Sequence, residues 1–331
     1  MQSERQLLLE KMANIFRDYR CNDIPKISVE HVDRWISQFR KDIQLPILRE
    51  CIHVFEKSYL SRARTKGKVR ELVKSLETYV NTLPHRIAFS DFLDQAIFLQ
   101  IPNGRCSQVE LLSLLDEVLQ ENYGKKSIRG LKGKPGTHFV YLDDVVYTGR
   151  RLREDLRLWL SNHAPTFSEV YILLIAYMPL SIGQPYSFGK QVKWHYVLNA
   201  SWRLSREFDL LWPTSVPDDE AMKNYVELRG FVPRKRTYSQ YRLFSSEEGR
   251  QLLEREFFIQ GYRIIQECAA PSYNIRPLGY GDQGIGIGSM LVTYVNCPNS
   301  SPLVLWWGNP SYSTWHPLGK WYPLLPRRTY Y

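Results

Sequence analysis

The twelve residues Val140-Tyr141-Leu142-Asp143-Asp144-Val145-Val146-Tyr147-Thr148-Gly149-Arg150-Arg151 hold the densest set of groups able to do chemistry in this chain. In order they read as a hydrophobic strand ending in two carboxylates, a tight turn with a hydroxyl and a glycine, and the start of a helix. The exposed amides of such a turn, together with a helix N-terminus, form a cradle for phosphate. Two adjacent carboxylates just ahead of the cradle repel a phosphate. They accept hydrogen bonds instead, for which the 2′ and 3′ hydroxyls of a ribose carrying that phosphate are fitting donors. The same pattern also suits a paired-aspartate metal or phosphoryl site on another α/β fold, or a strand end with no ligand.

The elements that must position these groups follow from periodicity. Ala96-Ile97-Phe98-Leu99-Gln100-Ile101 predicts a strand, Pro102-Asn103-Gly104-Arg105 a turn, and Ser107 with Glu110 a capping box opening a helix whose buried stripe is Leu111, Leu112, Leu115, Val118 and Leu119. A basic, glycine-bearing segment from Gly124 to Gly136 leads into the strand His138 to Leu142. A helix over 151–160 and a near-continuous apolar strand over 169–177 follow. Strands alternating with helices imply a parallel α/β sheet whose ligands sit at the carboxyl ends of its strands, where both the Asn103-Gly104-Arg105 turn and the Asp143-Asp144 step fall. Residues 1–88 read as a helical region punctuated by Pro25 and Pro46, and 89–200 as the α/β core. Residues 201–331 read as an α+β extension that completes the core and caps the site. The extension contains a helix capped by Ser245 and Glu248, a glycine-rich loop from Gly279 to Gly288, and an end dense in Trp, Tyr and Pro.

Composition narrows the class. At 331 residues and 44% hydrophobic content the chain is too apolar for a disordered tail, and its greasiest stretch, Val170 to Leu180, is too short for a membrane span. Five scattered cysteines include no CxxC pair, and Met1-Gln2-Ser3-Glu4 lacks the basic start of an export signal, so a reduced, cytoplasmic protein without structural zinc or disulfides is expected. Basic residues outnumber acidic ones by 17 to 13, 12 to 9 and 15 to 12 over residues 1–100, 101–200 and 201–331. That even spread argues against a nucleic-acid-binding tail and for several separate patches. Three short acid-free clusters stand out, around Lys66, Lys125 and Arg234. His138 and His195, in or beside apolar runs, read as satisfied core histidines. Among Trp306, Trp307, Trp315 and Trp321, which could stack a base, at least half are expected in the core.

The strand, two acids, two hydrophobics and Thr-Gly turn resemble the ribose-5-phosphate signature of type I phosphoribosyltransferases. The Tyr-Thr-Gly-Arg version is most similar to pyrimidine-operon regulators with uracil phosphoribosyltransferase activity. The resemblance implies that Asp143 and Asp144 bind the ribose hydroxyls and that Tyr147, Thr148, Gly149, Arg150 and Arg151 wrap the 5′-phosphate. It implies further that Asn103, Gly104 and Arg105 form the pyrophosphate loop, and that Lys125, Lys126 and Arg129 ride on a mobile, basic catalytic loop. Magnesium accompanying phosphoribosyl pyrophosphate is implied as cofactor. Arg151 departs from the pattern, which usually has a small residue or a hydroxyl there.

Outside this signature, Trp35-Ile36-Ser37-Gln38-Phe39, Asn296-Cys297-Pro298-Asn299-Ser300 and Trp321-Tyr322-Pro323-Leu324-Leu325-Pro326-Arg327 resemble the PRTase-CE proteins of bacterial conflict systems. That resemblance implies a toxic anti-phage effector acting on a nucleotide or ribose-5-phosphate substrate. A sensor protein of the same operon would restrain it, for instance a retron reverse transcriptase with its nucleic acid; no membrane partner is implied. The alternative is a non-catalytic nucleotide- or RNA-binding module on the same fold.

Overall fold

The structure, a computed structural model, describes residues 2–83, 87–101, 106–179, 190–198, 201–206, 208–233, 243–268, 272–281, 284–313 and 315–327. The chain begins with α1 (Glu4–Ile15), α2 (Val29–Ile36), α3 (Lys41–Ser58), the short strand β1 (Tyr59–Leu60) and α4 (Arg62–Asn81). Ser3 and Ser28 cap the first two helices by accepting hydrogen bonds from the amides of Gln6 and His31. Pro46 does not punctuate the helices but lies inside α3. It forfeits one amide hydrogen bond near the helix start, which the buried face of Ile43, Ile47, Leu48, Cys51 and Phe55 outweighs.

Next come α5 (Phe89–Gln95), β2 (Ile97–Leu99), α6 (Cys106–Tyr123), β3 (Ile128–Gly130), β4 (His138–Val146), α7 (Arg150–Asn162), β5 (Phe167–Tyr177), β6 (Gln191–Val197) and β7 (Trp202–Arg203). The remaining elements are α8 (Glu220–Leu228), α9 (Glu247–Cys268), β8 (Val292–Thr293) and α10 (Leu303–Trp306). Ser107 lies within α6, which already starts at Cys106, so it is not the cap that its spacing to Glu110 predicts.

The chain forms two compact units, residues 63–204 and residues 1–62 with 205–331. The helical stretch expected as one region over 1–88 is therefore divided between them. Of the residues from 201 onward expected to complete the core, only the two-residue strand β7 joins the central sheet among the described residues.

In the unit 63–204 the six-stranded sheet runs β3-β2-β4-β5-β6, with β7 pairing the far end of β5, and every pairing is parallel. Val170 through Ala176 on β5 are buried without interruption, as a central strand covered on both faces requires. One face is packed by α7 through Leu152, Leu156, Trp159 and Leu160, which meet Phe139, Tyr141, Val170, Ile172 and Leu174. The rings of Phe139 and Trp159 stand 4.7 Å apart. Aromatic contacts of Tyr79 on α4 and Phe92 on α5 with Tyr171 cover the opposite face of the sheet.

The other unit gathers α1, α2, α3, α9 and the C-terminal residues around Phe16, Trp35, Phe55, Phe257, Trp306 and Trp307, all fully buried. β1 pairs with β8 in parallel, and the Ser58 hydroxyl donates to the Met290 carbonyl at 2.8 Å. Ser245 serves α3 more than α9: its amide and hydroxyl both go to the buried carboxylate of Glu50, while Ser246 accepts the Gly249 amide at the start of α9. Gly286 adopts φ 117°, and a Cβ there would come within 2.5 Å of the Gly279 carbonyl, so this turn of the glycine-rich loop admits no larger residue.

Candidate functional site

β4 does not stop at Leu142. It continues through the acid pair to Val146, with Asp143 opposite Leu174 and Val145 opposite Ala176 on β5. Because side chains alternate along a strand, Asp143 shares the α7 face with Tyr141 and Asp144 falls on the opposite face. Each carboxylate accepts the next backbone amide, Asp143 from Asp144 at 2.9 Å and Asp144 from Val145 at 2.7 Å. Loss of water and then the negative charge of Asp144 push the Asp143 carboxyl up to about 8, with Asp155 adding to the effect and the Tyr141 hydroxyl partly opposing it. Ionising Asp143 beside Asp144 is therefore costly, and a hydroxyl-donating or cationic ligand would relieve that cost.

Beyond Val146 the chain turns through Tyr147 and Thr148 to Gly149, whose φ of 69° is left-handed and suits glycine. α7 begins at the next residue, and no side chain caps it. The Arg150 amide meets the Thr148 hydroxyl at 3.4 Å. The first turn carries Arg150 and Arg151 and no acid. Two cations at the positive end of a helix oppose its dipole, typically by about 0.3–1 kcal/mol each, and an anion bound there reverses the sign.

Sequence reasoning missed Asp155 and Tyr141. Asp155 is 4% exposed, and its Oδ2 accepts both Arg151 Nε at 2.8 Å and the Tyr141 hydroxyl at 3.2 Å. The same hydroxyl stands 3.2 Å from Asp143 Oδ2. The available signal was the four-residue spacing of Arg151 and Asp155 on one helix face.

The loop expected to carry Lys125, Lys126 and Arg129 as a lid is placed differently. Ile128–Gly130 form the edge strand β3, with Arg129 level with Phe98 and, through it, with Val140. Asp143 lies three residues, roughly 10 Å, farther toward the carboxyl edge, and Lys125 and Lys126 precede the strand. Lys125 binds Asp94 and the Ser90 carbonyl, and Arg129 binds Asp116, which also accepts from Ser127. Asp116 on α6 thus holds the segment that the family resemblance implied to be mobile. In the first basic cluster Lys66 and Arg70 likewise meet Glu117 and Glu121 of α6. Asn103, Gly104 and Arg105, as well as Arg234 and its neighbours to Arg242, lie outside the described residues.

His195 is buried as expected, in a network richer than a plain core. Its Nδ1 meets the Tyr79 hydroxyl at 2.8 Å and its Nε2 meets Glu169 at 3.0 Å, while its ring stacks on Tyr171 at 4.5 Å. Burial lowers the proton affinity of His195 and of His138, with Glu169 opposing in both cases. Two cavities, of about 250 and 200 Å³, lie in the unit formed by 1–62 and 205–331; they share Gln38, Lys320 and Trp321 and include none of the residues expected in the site. Among the described residues no group of three or more His, Cys, Asp and Glu side chains could hold a metal ion, and no helix is long and apolar enough to cross a membrane.

An all-parallel sheet whose central strand carries two acids near its carboxyl end, turns on a left-handed glycine and enters an uncapped basic helix defines a phosphoribosyltransferase-like α/β protein. The sequence matches the PRTase-CE family model over residues 32–327, and the chain belongs to the PRTase-CE family. Comparison with curated proteins gives no match. Similar solved structures include the hypoxanthine-guanine phosphoribosyltransferase of Schistosoma mansoni in complex with IMP, at 11% identity and a TM-score of 0.26. That alignment covers 42% of this chain and 66% of the other, just under two thirds of its length. A hypoxanthine-guanine-xanthine phosphoribosyltransferase is similar at 12% identity and a TM-score of 0.20, over 40% of this chain and 72% of the other.

Proposed function

We propose that this protein binds a ribose 5-phosphate group at the carboxyl end of β4 and transfers or releases it, as a phosphoribosyltransferase-type enzyme acting on phosphoribosyl pyrophosphate or on a nucleotide. The observation that carries this reading is the placement of an uncapped, acid-free helix start with two arginines directly after Asp143 and Asp144. The turn amides from Tyr147 to Gly149 and the first amides of α7 receive the 5′-phosphate, with Arg150 and Arg151 supplying charge. Asp143 and Asp144, straddling the strand end, receive the ribose hydroxyls. The bond broken or made is the one at C1′, through a transition state of oxocarbenium character, so positioning and charge complementarity do more than a nucleophile would. Magnesium enters as the counter-ion of the substrate's diphosphate, where it neutralises the leaving group.

Membership of the PRTase-CE family supports the further reading of an anti-phage effector whose toxicity a sensor protein of the same operon restrains, for instance a retron reverse transcriptase with its nucleic acid. Calorimetric titration of the purified chain with phosphoribosyl pyrophosphate and magnesium tests the core of the proposal: saturable binding that Asp143→Asn abolishes is expected, and no binding by the wild type overturns it. Metabolite profiling of cells expressing the protein identifies the base or acceptor. Binding without any turnover would make the protein the nucleotide-binding module instead.

A further inference from the structure

We propose that Asp155 is a positioning residue that joins the two halves of this site, holding Arg151 ready for the phosphate and reaching Asp143 on the ribose side through the Tyr141 hydroxyl. The inference rests on the ribose-5-phosphate reading and deepens it.

A carboxylate as buried as Asp155 is costly unless paired, and an ion pair of this kind contributes little net stability compared with a well-packed apolar residue. Its neighbours on the helix face, Leu152, Leu156 and Trp159, form an apolar stripe against the sheet into which a leucine would fit by type. The charge is therefore better explained by what it holds. It binds Arg151 through Nε alone, at 2.8 Å, and the two terminal guanidinium nitrogens have no hydrogen-bond partner among the described residues. Arg151 keeps 30% of its side chain exposed on the first turn of α7, next to Gly149. An arginine anchored at Nε with both terminal nitrogens unengaged presents a preorganised fork for two phosphate oxygens, which lysine cannot reproduce.

The second link is Tyr141. Its single hydroxyl proton lies 3.2 Å from Asp143 Oδ2 and 3.2 Å from Asp155 Oδ2, so at any moment it serves one acceptor fully at the expense of the other. When ribose hydroxyls donate to Asp143, the Tyr141 proton is released to Asp155, which fixes the orientation of the carboxylate that anchors Arg151. A ligand carrying both a vicinal diol and a phosphate is thereby favoured over either part alone. The titratable and charged groups facing Asp143 among the described residues are Tyr141 and Asp144 on its own strand and Asp155 on α7, with Arg151 behind Asp155; the neighbouring position on β5 is the apolar Leu174. Asp155 raises the proton affinity of Asp143 and the Tyr141 hydroxyl lowers it. Removing each should move the pH dependence of binding in opposite directions.

The test is calorimetric titration of the full chain with ribose 5-phosphate, 2-deoxyribose 5-phosphate and inorganic phosphate across pH. In the wild type, affinity for ribose 5-phosphate should rise with pH as Asp143 ionises. Asp155→Asn should weaken ribose 5-phosphate by about tenfold, the loss typical of one charge-assisted contact, reduce its preference over the deoxy sugar, and move the pH midpoint down. Tyr141→Phe should move the midpoint up. Arg151→Lys should behave like Asp155→Asn in affinity although it keeps the charge. If the wild type binds and Asp155→Asn binds within twofold at an unchanged midpoint, the positioning role is overturned and the ribose-5-phosphate reading stands. If the wild type does not bind ribose 5-phosphate, both fall. Should Asp155→Asn fail to fold, Tyr141→Phe and Arg151→Lys decide: an unmoved midpoint in the first and unaltered affinity in the second overturn the proposal.

Discussion

The indole of Trp35 donates to the carbonyl of Val304 at 2.8 Å, and the indole of Trp321 donates to the same oxygen at 2.9 Å. One carbonyl on α10 thus ties the second helix of the chain to its last turns. Around it Gln38 exchanges hydrogen bonds with the Tyr322 backbone, His31 meets the Leu324 carbonyl, and the Tyr19 hydroxyl donates to Pro326.

Truncation before Ser311 leaves the bond from Trp35 to Val304 but removes Trp321, Tyr322, Leu324 and Pro326 as partners, together with the buried side chains of Trp321, Leu324 and Leu325. Loss of one large buried side chain costs about 3–5 kcal/mol, and the truncation removes several. The shortened chain is expected to be insoluble or to lose its cooperative melt. A soluble product with an unchanged melting temperature would show that the C-terminal residues contribute nothing to the unit.

Asp143→Asn should separate stability from function. The Asp143 carboxyl holds its proton to a higher pH than an unfolded aspartate at 3.8, so folding takes up a proton between that value and about 8, and stability is lost as pH rises through this window. Asparagine removes the penalty. The variant should melt at the same temperature as the wild type near pH 4 and a few degrees higher at pH 8, by about 2–4 °C per kcal/mol for a unit of this size. Binding of phosphoribosyl pyrophosphate should be lost at pH 8 and above, where the wild-type acid ionises, as it should be in Asp144→Asn. Full activity in both variants would remove the acid pair from the site.

The His195 network gives a second pH dependence of the opposite sign. Burial depresses the proton affinity of His195 and His138 below the ordinary value of 6.5, so their contribution is complete above that pH and is lost as pH falls through 6.5 toward the folded-state values. The melting temperature should drop between pH 7.5 and pH 5.5. Tyr79→Phe leaves His195 Nδ1 without its 2.8 Å partner in a buried setting, at a cost of about 1–3 kcal/mol read from denaturant midpoints. An unchanged midpoint would mean that the hydroxyl is replaced by solvent.

Gly149→Ala tests the cradle. Its φ of 69° disfavours a side chain by about 1–2 kcal/mol, and relaxing that strain turns the Thr148 hydroxyl and the α7 amides away from the phosphate. A melting temperature a few degrees lower is expected, together with a larger proportional loss of phosphate affinity in calorimetry. Equal affinity for phosphate in variant and wild type would show that the turn is only a connection.

The amino-acid sequence by itself determined the strand-turn-helix at 140–151, the parallel α/β character and the buried stripes of α6 and α7, because each depends on residues within a few positions of one another. Tertiary structure decided the rest. Sequence reading ends the strand at the acids, whereas pairing with β5 carries it on to Val146 and so sends Asp143 and Asp144 to opposite faces. The basic segment after Gly124 reads as a lid until Asp116 on α6 and Asp94 on α5 engage Arg129 and Lys125. Helices α1 to α3 belong with residues more than 140 positions away, a grouping made by contacts such as Trp35 to Val304 that leave no local periodicity. Asp155 has the same cause for having been missed. Its spacing to Arg151 shows in one dimension, but its link to Asp143 exists only where α7 packs on β4 and the Tyr141 hydroxyl comes between the two carboxylates.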